Sequence, residues 1–222
     1  MTSHPVVARS TAGRTAGLTW ATSARLAGAL LFVAGALILM GIVTAEALYP
    51  VTFTTGANEI SDLGGTRPPD SLIYQPSATI FDVSMMVIGG LIVVASLFVH
   101  QAFGRRSVTI PLAVLGIGAL GVGLFPGNTG TPHAIFAMVT FVAGGIAAIS
   151  GSRIATGGFR AVSLILGTVS LVTLVLYLFL GDANPMADLG IGGIERWIVY
   201  PTVLWVTAFG GYVAGRADHP DG

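Results

Sequence analysis

Six apolar runs, at residues 26–45, 78–99, 108–125, 134–150, 161–180 and 197–214, constrain this chain more than any other feature. A span of about 20 residues, rising about 1.5 Å per residue as an α-helix, crosses a hydrocarbon core of about 30 Å. The runs are apolar on every side and lack the two-residue alternation of a spanning β-barrel, so helices remain as the way to satisfy the backbone in lipid. Composition agrees: 53% of the 222 residues are hydrophobic and 9% are charged, where a soluble domain carries roughly one quarter charged residues. The expected fold class is all-α, a polytopic six-transmembrane-helix bundle. It forms one domain over residues 25–215, preceded by a disordered tail at 1–24 and followed by a short tail at 216–222.

Charge orients the bundle. Arg9, Arg14, Arg25, Arg105, Arg106, Arg153, Arg160 and Arg216 all flank the spans on one side. By the positive-inside rule that side is cytoplasmic, which puts both termini in the cytosol of a multi-pass cell-membrane protein. The acids segregate to the other side: Glu46, Glu59, Asp62, Asp70, Asp82, Asp182, Asp188 and Glu195 lie in or beside the three opposite connections, with only Arg67 and Arg196 among them. An acidic mouth favours cations or basic head groups, although exposed acids also serve as plain loop charge. "AEA" at 45–47 resembles a signal-peptidase site. The apolar run before it exceeds the length of a signal core, so an uncleaved anchor is expected.

The outer connections repeat one pattern, Ala-Asn-x-x-x-Asp-Leu-Gly, at 57–64 and 183–190. "LIYQP" at 72–76 and "IVYP" at 198–201 follow at similar distances. A duplicated unit would account for this, and transporters use such repeats. Asn, Asp and Gly also recur wherever a turn needs them. Either way, the two loops are expected over one vestibule.

Few polar residues reach membrane depth. Asp82, in "PSATIFDVSMM" with Ser77 as the expected cap, must face the bundle interior or a wet cavity, because a carboxylate in lipid costs a few kcal/mol without a partner. Arg67, Arg196 and His133 are its potential partners. The segment "FPGNTGTPHAIF" at 125–136 places Asn128 and His133 at a helix start, with Thr131 as expected cap and Pro132 after it. That arrangement suits an anionic group, and equally a plain turn. "GGIERWIVYPTVLW" at 192–205 brings Glu195, which suits a helix N-terminus, and Arg196, expected to pair with Asp62, Asp82 or Asp188 or to hold a lipid phosphate.

Other signals are excluded. "GIGALGVG" at 116–123 contains G-x-G-x-x-G, but inside an apolar span it reads as close helix packing, not as a dinucleotide loop. Ser96 and His100 evoke zinc-dependent membrane hydrolases, yet no further His pair supplies the three ligands of a catalytic zinc. No cysteine, P-loop, serine-hydrolase elbow or nucleic-acid motif occurs.

Taken in order along six spans, "NEISDLG" with its prolines, "PSATIFD", "GLFPGNTGTPHAIFA" and "ERWIVYPTVLW" resemble the DUF998 family of prokaryotic integral membrane proteins. The resemblance implies a membrane protein and transfers no activity. The residues themselves give the functional expectation: a non-catalytic, outward-facing polar site built from Asp62, Asp82, Asn128, His133, Asp188, Glu195 and Arg196. It would bind a lipid head group or a small polar ligand, with membrane lipids as partners and neither metal nor cofactor. A small transporter of a cation or polar solute is the alternative, and an intramembrane hydrolase stands behind it.

Overall fold

The computed structural model describes residues 19–217. Of the expected tails, 1–18 and 218–222 lie outside the described residues. The described chain forms six long helices: α1 Trp20–Ala47, α2 Ser77–Phe103, α3 Arg106–Leu124, α4 Thr131–Gly151, α5 Gly157–Leu180 and α6 Gly190–Arg216. All six are long and apolar enough to cross a membrane, which makes this a multi-pass membrane fold.

Helix ends overrun the apolar runs, because capping rather than hydropathy stops a helix. Thr19 caps α1, its hydroxyl accepting the Thr22 N–H at 3.2 Å. Residues 20–24, expected in the tail, therefore belong to the bundle. Helix α2 continues through His100 and Gln101 until Gly104, whose φ of 62° is the left-handed conformation that closes a helix end. Ser77 and Thr131, expected as caps, are instead the first helical residues after Pro76 and Gly130. Helix α6 begins at Gly190 rather than at 197, so Glu195 and Arg196 lie within it.

Each helix packs on the next in chain order, and α6 closes the ring against α1. Alternate seams of this ring are zipped by facing glycines. A Cβ on Gly28 (α1) would lie 2.6 Å from the Gly210 carbonyl (α6), one on Gly89 (α2) 2.7 Å from that of Gly116 (α3), and one on Gly167 (α5) 2.7 Å from that of Gly145 (α4). Lipid supplies no hydrophobic drive between helices, so such backbone proximity carries much of the association. The run at 116–123 behaves as packing: Gly118 abuts Thr140 and Gly121 abuts Phe136.

The bundle has two unlike halves. At the end carrying the Arg25, Arg105, Arg153 and Arg216 segments, here the basic end, Leu31, Val99, Val108, Leu112 and Val213 are fully buried. Among them Trp205 stacks on Phe209 with ring centroids 4.7 Å apart, and its Nε1–H donates to Ser163 Oγ at 3.1 Å. At the opposite, acidic end the helices leave space, and the connection 48–76 folds over it.

Candidate functional site at the acidic end

Connection 48–76 is held down by α6. Arg196, 8% exposed, donates through Nη1 to the carbonyls of Thr55 and Asn58, both at 2.9 Å, and of Gly192 at 3.0 Å. Its Nη2 meets Glu46 Oε1 of α1 at 2.6 Å. Arg196 is thus a staple joining α1, α6 and the loop. It pairs with Glu46 rather than with the expected Asp62, Asp82 or Asp188, because its fork points at loop carbonyls that no side chain in the sequence pattern announces. Beside it, the Ile60 N–H donates to Glu195 Oε2. The apolar side chains of Ile60 and Leu63, in the short 3-10 turn Ile60–Leu63, are buried under this clasp. Tyr49 packs edge-on against both Phe53 and Tyr74, each at 5.0 Å between centroids.

The repeated stretches do meet on one face. The Gly192 N–H donates to the Gly56 carbonyl at 2.9 Å, and a Cβ on Gly190 would lie 2.4 Å from the same oxygen. Each copy folds its Asp-Leu pair into a 3-10 turn, Ile60–Leu63 and Ala187–Leu189. The likeness ends there. Asp62 is half-buried and accepts the Glu59 N–H at 3.0 Å, whereas Asp188 is exposed. Tyr74 and Pro76 precede a helix, while Tyr200 and Pro201 lie inside one.

Two cavities lie beneath the clasp. A vestibule of about 410 Å³ is bounded by Glu59 and Arg67 of the loop, Thr131, His133, Ala134 and Met138 of α4, Tyr177 of α5, and Ile191 and Glu195 of α6. Below it a slim chamber of about 80 Å³ is lined by apolar side chains including Ile38, Phe81, Met85, Ile88, Val122 and Val199. Ser61, His133, Ala137, Phe141, Glu195 and Ile198 belong to both walls. On α6 the chamber wall runs from Glu195 to Val206, a depth of about 16 Å at roughly 1.5 Å per residue. That is about half of a hydrocarbon core of roughly 30 Å. Phe209, the next turn along α6, is fully buried.

The polar wall is distinct in character. His133 is 5% exposed, and its Nδ1 lies 2.8 Å from the Phe125 carbonyl. A carbonyl only accepts, so Nδ1 carries a proton, and in the neutral ring Nε2 is then the lone-pair acceptor. Glu59 pairs with Arg67 at 2.6 Å. Burial pushes the Glu59 carboxyl above its ordinary range; Arg67 opposes that rise and Asp62 adds to it.

The seven expected site residues therefore separate. His133 and Glu195 line both cavities. Asp62 and Arg196 organise the loop. Asp82 and Asn128 lie against Gly64 and Gly65, each with a buried Oδ1 that no described group hydrogen-bonds, and neither lines the cavities. Asp82 does not pair with Arg67, Arg196 or His133 among the described ion pairs. Two wall residues, Glu59 and Arg67, were not among the seven expected from sequence; Glu59 falls within the repeated motif, and Arg67, one of two arginines among the acids, was expected only as a partner of Asp82. Glu46, the partner of Arg196, sits beside "AEA" and carried no site signal.

No curated protein and no solved structure matches this chain. The family model described as protein of unknown function, DUF998, matches residues 32–212, and the chain belongs to that family.

Proposed function

We propose that the acidic end binds an amphipathic molecule, with its polar head in the vestibule and an alkyl chain directed into the apolar chamber, as a non-catalytic lipid-binding function. The observation that carries this reading is the shared wall: His133 and Glu195, both nearly fully buried, border a polar vestibule on one side and an apolar slot on the other. The vestibule volume falls within the roughly 300–1,000 Å³ range of ligand sites. The chamber is smaller than the ~150 Å³ apolar cavity that accepts benzene, so it suits the end of a chain rather than a ring. The arginine distribution supports placing this mouth on the outer side of the cell membrane.

Of the residues named from sequence, Glu195 and His133 are the head-group contacts in this reading, and Asp62 and Arg196 shape the loop around them. The filled basic half weighs against a transport path, which needs a route to the other side. Mass spectrometry of lipids co-purifying with the wild type and with Ala137→Phe tests the proposal. Ala137 borders both cavities, so the larger ring is expected to reduce the retained amphiphile at least several-fold. Equal retention by both proteins would count against the site.

A further inference from the structure

We propose, building on the amphiphile reading above, that the polar end of the occupant is an ammonium group bearing N–H donors, which bonds to Glu195 and His133. The wall dictates this from its acceptors. Glu195 is 8% exposed, and its Oε2 is taken by the Ile60 N–H. Among the described residues no hydrogen bond reaches its other oxygen and no basic side chain pairs with it. Arg196, its neighbour in sequence, spends Nη1 on three carbonyls and Nη2 on Glu46, and its buried Nε–H bonds to no described group. His133 donates its Nδ1–H to the Phe125 carbonyl, which leaves Nε2 of the neutral tautomer as a lone-pair acceptor. Glu59 contributes a second carboxyl, and its partner Arg67 has a side chain 58% exposed, toward solvent.

The vestibule therefore holds two carboxyls and an imidazole acceptor against one arginine that is already paired. An acceptor facing a cavity gains a hydrogen bond when an occupant brings a donor to it. A primary ammonium has three N–H donors in a compact point charge, enough for Glu195, His133 and one further oxygen. A trimethylammonium carries the same charge with no N–H. An alcohol has one donor and no charge. The chemistry is common to a free long-chain amine and to the ethanolamine head of a phospholipid.

The test uses the full chain in phosphatidylcholine nanodiscs, with binding read by native mass spectrometry. Decylamine, decyltrimethylammonium and decanol are titrated separately. In a second arm, phosphatidylethanolamine replaces part of the phosphatidylcholine at equal chain length. Decylamine is expected to bind about tenfold or more tightly than either ten-carbon control, since hydrogen bonds to charged groups are the strong ones. Enrichment of phosphatidylethanolamine over phosphatidylcholine identifies the phospholipid as source, and enrichment of decylamine alone identifies the free amine. Decyltrimethylammonium or decanol binding as well as decylamine would overturn the ammonium assignment and leave the amphiphile reading standing. If none of the three binds, and Ala137→Phe behaves as the wild type, both fall. Glu195→Gln is expected to erase most of the decylamine preference, and an unchanged preference would also overturn the assignment. The wild-type panel stands whether or not that variant folds.

Discussion

The two ends of this bundle solve the same problem, holding six apolar helices together in lipid, by different means. At the basic end Trp205, Phe209, Leu31 and Leu112 are fully buried, and Trp205 stacks on Phe209. At the acidic end the helices part, and a loop is pinned across the gap by hydrogen bonds from Arg196 and by the Glu195 contact with Ile60. Dense packing is directionless and forgiving of exchange among apolar residues. A polar clasp fails when one donor is lost, because the groups it leaves behind are stranded. A protein uses the second arrangement where it needs room.

This contrast is broken most directly by matched truncations. Phe209→Ala removes a fully buried ring from the packed half and is expected to cost about 3–5 kcal/mol. Phe81→Ala, in the chamber wall, is expected to cost at least about 1 kcal/mol less, since a side chain beside an existing void has fewer contacts to lose. Unfolding in mixed micelles measures both, and equal losses would mean that the two halves are packed alike.

Arg196→Gln probes the clasp. Breaking a buried ion pair costs about 3–5 kcal/mol, and Glu46 is partly exposed, so about 2 kcal/mol is expected here. That loss is local: amide exchange over 48–76 accelerates roughly thirtyfold, while the amides around Trp205 keep their protection. Protection lost uniformly along the chain would show that the loop is no separate unit.

The smallest effect is electrostatic. The Glu59 carboxyl titrates above its ordinary value of 4.5, so within that window the folded loop binds more protons than the unfolded one. Loop stability therefore falls as pH rises from 4.5 through the folded value, and the Arg67 pairing keeps the fall small. Arg67→Gln removes the opposing charge and enlarges the fall, and Glu59→Gln abolishes it. Hydrogen exchange of residues 48–76 across this pH range reads all three, and a loop that firms as pH rises would reverse the assignment.

What could be read from sequence follows the dimensionality of the signal. Spanning length and hydropathy are properties of a contiguous segment, so all six helices were legible. Their ends were not: Thr19 starts α1 through its hydroxyl cap and Gly104 ends α2 through its left-handed backbone, both several residues beyond the apolar runs. The Asn-x-x-x-Asp-Leu-Gly repeat predicted that two loops meet, and Gly56 does contact Gly190 and Gly192. A linear match carries no information about which aspartate is hydrogen-bonded, so Asp62 and Asp188 read as equals although Asp62 caps its turn and Asp188 is exposed. Within the cavity walls, His133 and Glu195 were legible as polar groups near helix starts. Glu59 and Arg67 reach the wall only because bonds from α6 hold their loop over the bundle, which their local sequence does not encode. The pairing of Arg196 with Glu46, 150 positions away, depends on ring closure, which no local pattern encodes.

The absence of native cysteine allows a direct measurement of the central claim, a pocket open at the acidic end and closed at the other. Single cysteines at Ala137, in the wall of both cavities, and at Ala148, fully buried farther along the same helix, are exposed to a membrane-impermeant maleimide in sealed vesicles. The account predicts that Ala137→Cys is labelled from the acidic side only and that Ala148→Cys reacts from neither side until the protein is unfolded. Labelling of Ala148→Cys in the folded protein, or an inert Ala137→Cys, would contradict it.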